Sequence, residues 1–266
     1  MSKNLLLVVL SILVITLAAS LLIQSNSAGA YTPNSLDSNQ IVIPPAQAPK
    51  QLFDEWQTIK ESRSVTIKQD GDVLRFVFIV DPAYADITVR DAEAESQFLD
   101  TILNDRQPDA DCAFSGGWYE ITDINQPVIQ SYPIITDGQV IPGSKTAPGT
   151  TTLYINHGQL SMSSPSSNED LSPSQFAISG VSIQNLIDSG KDNEDPRTFL
   201  AIHQNKLIVL NTTFITPSEV ESLLISQGVE AKNILVLNDY PQSGCFGTRY
   251  FGWFVVQGSG LFVTEK

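Results

Sequence analysis

The sequence is poor in the residues that build metal sites and basic surfaces. Its 266 residues include only two cysteines and two histidines, too few for a zinc framework of cysteine and histidine ligands. Lysine and arginine number 15 against 29 aspartates and glutamates, a formal net charge of −14. Nucleic acids and anionic lipid surfaces are bound through clustered positive charge. The composition therefore argues against a nucleic-acid partner, and it identifies no cofactor.

The chain also lacks the short motifs of several common enzyme classes. It contains no G-x-S-x-G nucleophile elbow, no H-E-x-x-H helix and no phosphate-binding P-loop. His157 falls in a turn-forming stretch and His203 follows an apolar segment, and neither belongs to a recognisable motif. Both are more typical of ordinary surface or hydrogen-bonded histidines than of catalytic ones.

The sequence does have an uncharged, apolar run at residues 5–23, preceded by Lys3. This length is close to the ~20 residues that span hydrocarbon as a helix. The small-residue pattern Ala28-Gly29-Ala30 that follows is of the kind a signal peptidase recognises. Residues 1–30 are therefore predicted to be either a cleaved signal peptide or an uncleaved anchor helix. Both place the rest of the chain outside the cytoplasm, secreted or membrane-anchored.

Two further regions follow this segment. Residues 31–50 are rich in proline, serine and asparagine, and such a composition buries too little apolar surface to become ordered. We predict a disordered linker there. Residues 51–266 remain as one globular domain, since 42% of the whole chain is hydrophobic, enough for a core.

Within this domain, short apolar segments alternate with turn-forming residues. Glycine- or asparagine-containing turns at residues 70–72, 137–138, 156–158 and 204–205 predict hairpins. Thr216, Pro217 and Glu219 predict a capped helix start, and weaker helical patterns occupy residues 51–62 and 92–103. Many strands with a few helices predict an α+β fold with a mixed or largely antiparallel sheet.

The two cysteines, Cys112 and Cys245, are far apart in the sequence. In an exported protein such a pair is more typically bridged than free, although two buried thiols would fit the same pattern. A bridge closing so long a loop would stabilise the fold by roughly 4–5 kcal/mol in the chain-entropy model.

Three loops offer polar chemistry at predicted strand ends. Residues 115–117 (Ser-Gly-Gly) could bring backbone N–H groups close to a ligand, although a tight turn or bulge needs the same glycines. Arg197 precedes an apolar strand and could bind a phosphate or carboxylate. The alternative is an ion pair with Asp195 or Glu194. Residues 238–243 follow a buried strand, where polar residues often line a cleft but also form plain turns.

Taken in order, four stretches resemble the phosphodiester glycosidase domain family. This family includes the enzyme that uncovers mannose 6-phosphate by removing N-acetylglucosamine, and bacterial relatives associated with exopolysaccharide. AFSGGWY at residues 113–119 is similar to A-I-N-G-G-F-F, and FAISG at residues 176–180 to A-I-G-G-G. PRT at residues 196–198 is similar to P-R-T-A-I-G-I. The helix and strand of residues 216–238 resemble those before the family's L-D-G-G-G-S-S.

The resemblance implies a set of site residues. It assigns substrate binding to positions that the motifs keep or nearly keep, namely Arg197, Thr198, Ser115, Gly116, Gly117 and Ser243. The catalytic candidates are Asn238, at the position of the family's aspartate, and Asp239 or Glu120 as the acid or base of an enzyme of this kind. Two departures bear on activity, because Ser115 replaces the family's asparagine and Asn238 replaces its aspartate. Asn238 cannot titrate, so a carboxyl role would fall to Asp239, one residue on.

Two main functions fit the sequence. The first is an extracytoplasmic phosphodiester glycosidase acting on sugar phosphodiesters of the envelope or exopolysaccharide. The second is a non-catalytic cell-surface relative that binds glycan without cleaving it. Both imply a carbohydrate or sugar-phosphate ligand, with the membrane as a further partner if the N-terminal segment is uncleaved. A purely structural envelope protein would do neither.

Overall fold

The computed structural model describes ten parts of the chain. These are residues 52–71, 75–90, 110–116, 119–120, 129–130, 132–141, 146–238, 243–246, 248–251 and 260–266. The proposed N-terminal segment, the linker and the helix expected at residues 92–103 lie outside them. None of the helices within the described residues is long and apolar enough to cross a membrane.

The described residues form mainly β-strands. The strands are β1 Gln57–Glu61, β2 Val65–Gln69, β3 Phe76–Val80, β4 Ala85–Arg90, β5 Cys112–Ser115, β6 Tyr119–Glu120, β7 Ile129–Gln130, β8 Ile134–Thr136, β9 Gln139–Val140, β10 Thr150–Asn156, β11 Gln159–Ser163, β12 Phe176–Ser182, β13 Arg197–His203, β14 Lys206–Thr212, β15 Ile234–Asn238, β16 Ser243–Cys245, β17 Thr248–Phe251 and β18 Gly260–Glu265. The α-helices are α1 Ile183–Asp188 and α2 Pro217–Ser226.

The α+β prediction is wrong, because sheets rather than helices build most of the described fold. Every strand pairing among the described residues is antiparallel. The helix expected at residues 51–62 is instead a turn followed by β1. The apolar residues Leu52, Trp56 and Ile59 have helical spacing, but β1 pairs with β2 along its length. Strand pairing therefore overrode a weak local pattern.

Two sheets stack face to face. The larger sheet has 11 strands, with the order β1-β2-β3-β14-β13-β15-β12-β10-β11, and β8 pairs with β12 while β9 pairs with β8. The smaller has five strands in the order β17-β16-β5-β18-β4. Apolar side chains from both sheets form one core between them, with Phe78 and Phe114 in edge-to-face contact. We call the face of the larger sheet that looks into this core its inner face.

The outer face of the larger sheet carries a second core beneath the helices. Ile183 and Leu186 from α1, and Val220 and Leu224 from α2, pack there against alternate residues of the same strands. Thr216 caps α2 as predicted, since its hydroxyl accepts from the N–H of Glu219 while the Glu219 side chain accepts from the N–H of Thr216. Alternation therefore decides which core each strand residue enters.

Candidate functional site

Polar and aromatic side chains form a row across one end of the larger sheet. Phe76 at the start of β3 lies directly opposite Asn211 in β14, and Asn211 lies directly opposite Thr198 in β13. Val209 and Leu200, two residues further along β14 and β13, belong to the core between the sheets. Because side chains two residues apart share a face, Asn211 and Thr198 point inward as well.

The smaller sheet adds a serine to this row. Asn211 donates a hydrogen bond from Nδ2 to the Oγ of Ser243, at 2.6 Å, although the residues are 32 apart in sequence. The side chains of Thr198, Asn211 and Ser243 are all fully buried. We call these three residues the polar cluster, which joins the two sheets at the end where β13 begins and β14, β15 and β5 end.

Two atoms of the polar cluster have unmet hydrogen-bonding capacity. Thr198 Oγ1 and Asn211 Oδ1 are buried and have no hydrogen-bond partner within the described parts of the chain. Leaving such a group unpaired costs about 1–3 kcal/mol, and native proteins rarely retain one without a functional reason or a bound molecule. The asparagine oxygen can only accept, whereas the threonine hydroxyl can donate or accept. The pair is therefore suited to bind hydroxyl or amide groups.

The backbone of Asn238 lies beside the polar cluster. Asn238 is the last residue of β15 and pairs with Thr198, with a bulge between Thr198 and Phe199. Bulges are common beside functional sites. Asp239, the carboxylate expected to replace the family's aspartate, lies outside the described residues, so its catalytic role stays a prediction.

Gly116 also lies at this end, immediately after β5. A Cβ on Gly116 would come within 2.5 Å of Ile178 Cδ1 and 3.0 Å of Leu237 Cδ2. The glycine therefore lets the end of β5 pack closely against the larger sheet, which is the structural alternative to ligand binding. Ser115 ends β5 and pairs with Gly260, while Gly117 lies outside the described residues.

Arg197 does not join the polar cluster. It shares a face with Phe199, which belongs to the outer core beneath the helices. Only 2% of its side chain is exposed. The guanidinium donates to the backbone oxygen and to Oδ1 of Asn193, both at 2.7 Å, and forms a 3.3 Å ion pair with Asp195. Arg197 is thus the first residue of β13 and is bonded to residues of the turn before that strand. Its predicted contact with a phosphate stays a prediction.

Glu120 is also apart from the polar cluster in the sheet topology. It lies in β6, which among the described residues pairs with β7 alone, and the two form a two-stranded sheet. The pairing brings Glu120 opposite Ile129. Its proposed catalytic role therefore stays a prediction.

The disulfide is confirmed. Cys112 and Cys245 are bonded, and they lie directly opposite each other in the neighbouring strands β5 and β16. Gly116 follows the last residue of β5, and Ser243 is the first residue of β16. The bridge therefore fixes the part of the smaller sheet that meets the polar cluster, across a sequence separation of 133 residues.

Sequence reasoning missed Asn211 and the aromatic residues beside it. Asn211 begins an Asn-Thr-Thr sequence of the type that N-glycosylation requires, but its buried, hydrogen-bonded amide is inaccessible to that modification. Tyr250 packs edge-on against Phe76 and Phe78, with ring centroids 5.7 and 5.5 Å apart. Desolvation raises the pKa of Tyr250. The one local signal was the position of Asn211 itself, a polar residue at the end of the apolar run of β14.

The polar cluster is electrically neutral, since threonine, asparagine and serine carry no charge. No group of three or more histidine, cysteine, aspartate or glutamate side chains within the described residues could hold a metal ion. Among the described residues, the chemistry at this end of the sheet is therefore hydrogen bonding by neutral groups beside aromatic rings.

Comparison with solved structures identifies proteins with a similar fold. The chain is similar to the zebrafish N-acetylglucosamine-1-phosphodiester alpha-N-acetylglucosaminidase catalytic domain, auto-inhibited by its pro-peptide, with a TM-score of 0.54 and 15% identity. The match covers 76% of this chain and 78% of that one. At this identity the likeness concerns the fold alone, which is a phosphodiester glycosidase-like fold.

A second similar structure is a protein of Burkholderia pseudomallei described as exported. Its TM-score is 0.42 at 8% identity, covering 76% of this chain and 74% of that one. No protein-family model and no curated protein sequence matches the chain.

Proposed function

We propose that this chain is an extracytoplasmic protein that binds a glycosyl phosphodiester at the polar cluster and hydrolyses the bond between sugar and phosphate. The observation behind this proposal is the pair of buried, unpartnered oxygens on Thr198 and Asn211. They lie where the backbone of Asn238 and the side chain of Ser243 meet, two positions that the family resemblance singled out. The shared fold belongs to an enzyme named for the same bond.

The polar cluster suits the sugar better than the phosphate. Asn211 Oδ1 would accept from a sugar hydroxyl or an N-acetyl N–H, and Thr198 Oγ1 would pair with a neighbouring hydroxyl. Neither provides the positive charge that a phosphate favours. Hydrolysis would add water at the anomeric carbon and release the phosphate as a monoester, and it requires a carboxyl group for proton transfer. Asp239, adjacent to the end of β15, is the residue we assign to that step.

A second function is favoured by two particular observations. Asn238 occupies the position of the family's aspartate, and Arg197 is engaged by Asn193 and Asp195. A site altered in this way would bind a glycan without cleaving it. The chain would then be a cell-surface glycan-binding protein with the same polar cluster.

Two features support a location outside the cytoplasm. The buried Cys112–Cys245 bridge is typical of proteins that fold in oxidising compartments. The apolar run at residues 5–23 and the small-residue pattern after it are typical of export signals and anchors. We propose that the domain is secreted, or held at the membrane by that segment.

The test is incubation of the full chain with the methyl phosphodiester of N-acetylglucosamine, with free sugar and methyl phosphate followed by NMR. Wild type should release both products, while Thr198→Val and Asp239→Asn should release neither at a comparable rate. Tyr84→Ala, which alters an exposed aromatic in the turn between β3 and β4, serves as the control. Binding without release would favour the second function, and the absence of both binding and release would refute the proposal.

A further inference from the structure

Tyr250 occupies a bulge beside the polar cluster. Ser243 and Gly244, which are adjacent in β16, pair with residues of β17 that are two apart. Tyr250 is therefore the extra residue of β17 at this point. Bulges redirect a side chain and are common next to functional sites. Because Ser243 is the residue that the smaller sheet contributes to the polar cluster, the bulge places Tyr250 next to the cluster along this sheet.

The ring of Tyr250 also contacts the strand that lies beside Asn211 in the larger sheet. Its centroid lies 5.7 Å from that of Phe76 and 5.5 Å from that of Phe78, with the rings edge to face. Both phenylalanines belong to the core between the sheets, and Phe76 lies directly opposite Asn211. Tyr250 is thus next to the polar cluster in both sheets, through strand pairing in one and ring contact in the other.

Packing accounts for the ring of Tyr250 but not for its hydroxyl. A phenylalanine would make the same ring contacts, and Phe76 and Phe78 are phenylalanines. Within the described parts of the chain, the Tyr250 hydroxyl has no hydrogen-bond partner, although a partly buried tyrosine usually has one. Burial raises the pKa of Tyr250, so the hydroxyl keeps its proton at neutral pH and can donate or accept.

We infer that Tyr250 is a specificity-determining residue whose hydroxyl hydrogen-bonds the sugar held by the polar cluster. This inference rests on the proposed function. Thr198 and Asn211 supply hydrogen-bonding groups from the larger sheet, and Tyr250 supplies another from the smaller one. A sugar that lacks the matching hydroxyl would leave the Tyr250 group unpaired, and sites built in this way reject such analogues.

The test uses calorimetry on the full chain with the methyl phosphodiester of N-acetylglucosamine and its 3-deoxy, 4-deoxy and 6-deoxy analogues. Asp239→Asn serves as the background so that no ligand is consumed. Tyr250→Phe keeps the ring and should weaken the parent ligand about 2- to 12-fold, the range for one neutral hydrogen bond. One of the deoxy analogues should bind equally well with and without Tyr250→Phe, because it already lacks the hydroxyl that Tyr250 contacts.

Tyr154→Phe is the matched control. Tyr154 also has a buried hydroxyl without a partner among the described residues. Its neighbours in β10, Leu153 and Ile155, enter the core between the sheets, so Tyr154 faces the outer side of the larger sheet. Its replacement should leave the affinity for every ligand unchanged. Equal weakening by both substitutions would show a general effect of losing a tyrosine hydroxyl and would overturn the inference.

The remaining outcomes are also decisive. Tyr250→Phe should keep the melting temperature within about 2 °C of the background protein, and a clear fall would assign the hydroxyl a structural role instead. If Tyr250→Phe weakens the parent ligand and every deoxy analogue by the same factor, Tyr250 contacts none of these sugar hydroxyls and the inference fails. If Thr198→Val weakens binding but Tyr250→Phe does not, the inference fails and the proposed function stands. If the background protein binds no ligand, both fail.

Discussion

Replacing Thr198 with valine should make the protein more stable and less able to bind its ligand. The two side chains have nearly the same shape, so the substitution opens no cavity. It removes a hydroxyl that is fully buried and has no partner among the described residues. A buried, unpaired polar group costs about 1–3 kcal/mol, and its removal should recover part of that cost.

The expected size is a rise of about 1 kcal/mol in the free energy of unfolding. For a domain of this size, that rise corresponds to roughly 2–4 °C in melting temperature. Equilibrium unfolding in urea measures it, and the slope with denaturant should stay constant because the surface exposed on unfolding does not change. The same variant should bind a glycosyl phosphodiester less tightly, because it has lost the hydroxyl that we assign to the ligand.

Thr152→Val is the matched control. Thr152 is as deeply buried in the same sheet, but its hydroxyl pairs with Ser179 Oγ at 2.8 Å. Valine there would leave the serine unpaired, so the control should lose about 1–3 kcal/mol of stability. If Thr198→Val is destabilised as much as Thr152→Val, the hydroxyl of Thr198 has a partner in solution and the reasoning about the polar cluster is refuted.

Three other predictions test the framework of the fold. The Cys112→Ala, Cys245→Ala double variant should lose up to about 5 kcal/mol of stability, seen by thermal unfolding, and an unchanged melting temperature would contradict the role given to the bridge. Hydrogen bonds from the backbone and side chain of Thr216 lower the pKa of Glu219. The stability that Glu219 contributes is therefore present above the ordinary glutamate pKa and is lost as pH falls through its lowered folded-state pKa. Glu219→Gln should weaken that acid-side dependence, and identical pH profiles would count against the capping box. Gly180→Ala places a Cβ 2.2 Å from the carbonyl of Val236 and should cost about 3 kcal/mol or more, whereas Gly116→Ala, which meets only side-chain ends, should cost less.

The turns and caps of the fold could be predicted from the sequence because their chemistry is local. The turn at Asp137 and Gly138 has positive φ at both residues, which such a pair tolerates, and it joins β8 to β9 as expected. The capping box of α2 needs only residues within one turn of helix. The hairpin of β13 and β14 was likewise evident from two apolar runs around Gln204 and Asn205.

The fold class could not be predicted in the same way. Nothing local indicates that residues 57–61 extend a sheet as β1, since that depends on β2 offering a free edge. The stacking of two sheets depends on which face of each strand becomes buried. Long-range pairing such as β16 with β5, whose cysteines are 133 residues apart, is equally invisible to a local pattern.

The candidate site was predictable only in part. Thr198 and Ser243 were identified from the family resemblance, and the structure brings them to the same end of the sandwich. Asn211 was missed because its contact with Ser243 spans 32 residues and crosses between sheets. Arg197 was expected to bind phosphate. Strand alternation puts it on the outer face, where Asn193 and Asp195 bond to it, and its binding role stays a prediction. A sequence motif identifies such a residue but does not show which face of the sheet its side chain occupies.

A crystal structure of the Asp239→Asn full chain with the methyl phosphodiester of N-acetylglucosamine would show whether the polar cluster binds the sugar. We expect polar sugar atoms within about 3.2 Å of both Thr198 Oγ1 and Asn211 Oδ1. A sugar bound elsewhere on the protein, with these two oxygens in contact only with solvent or with other protein groups, would contradict it.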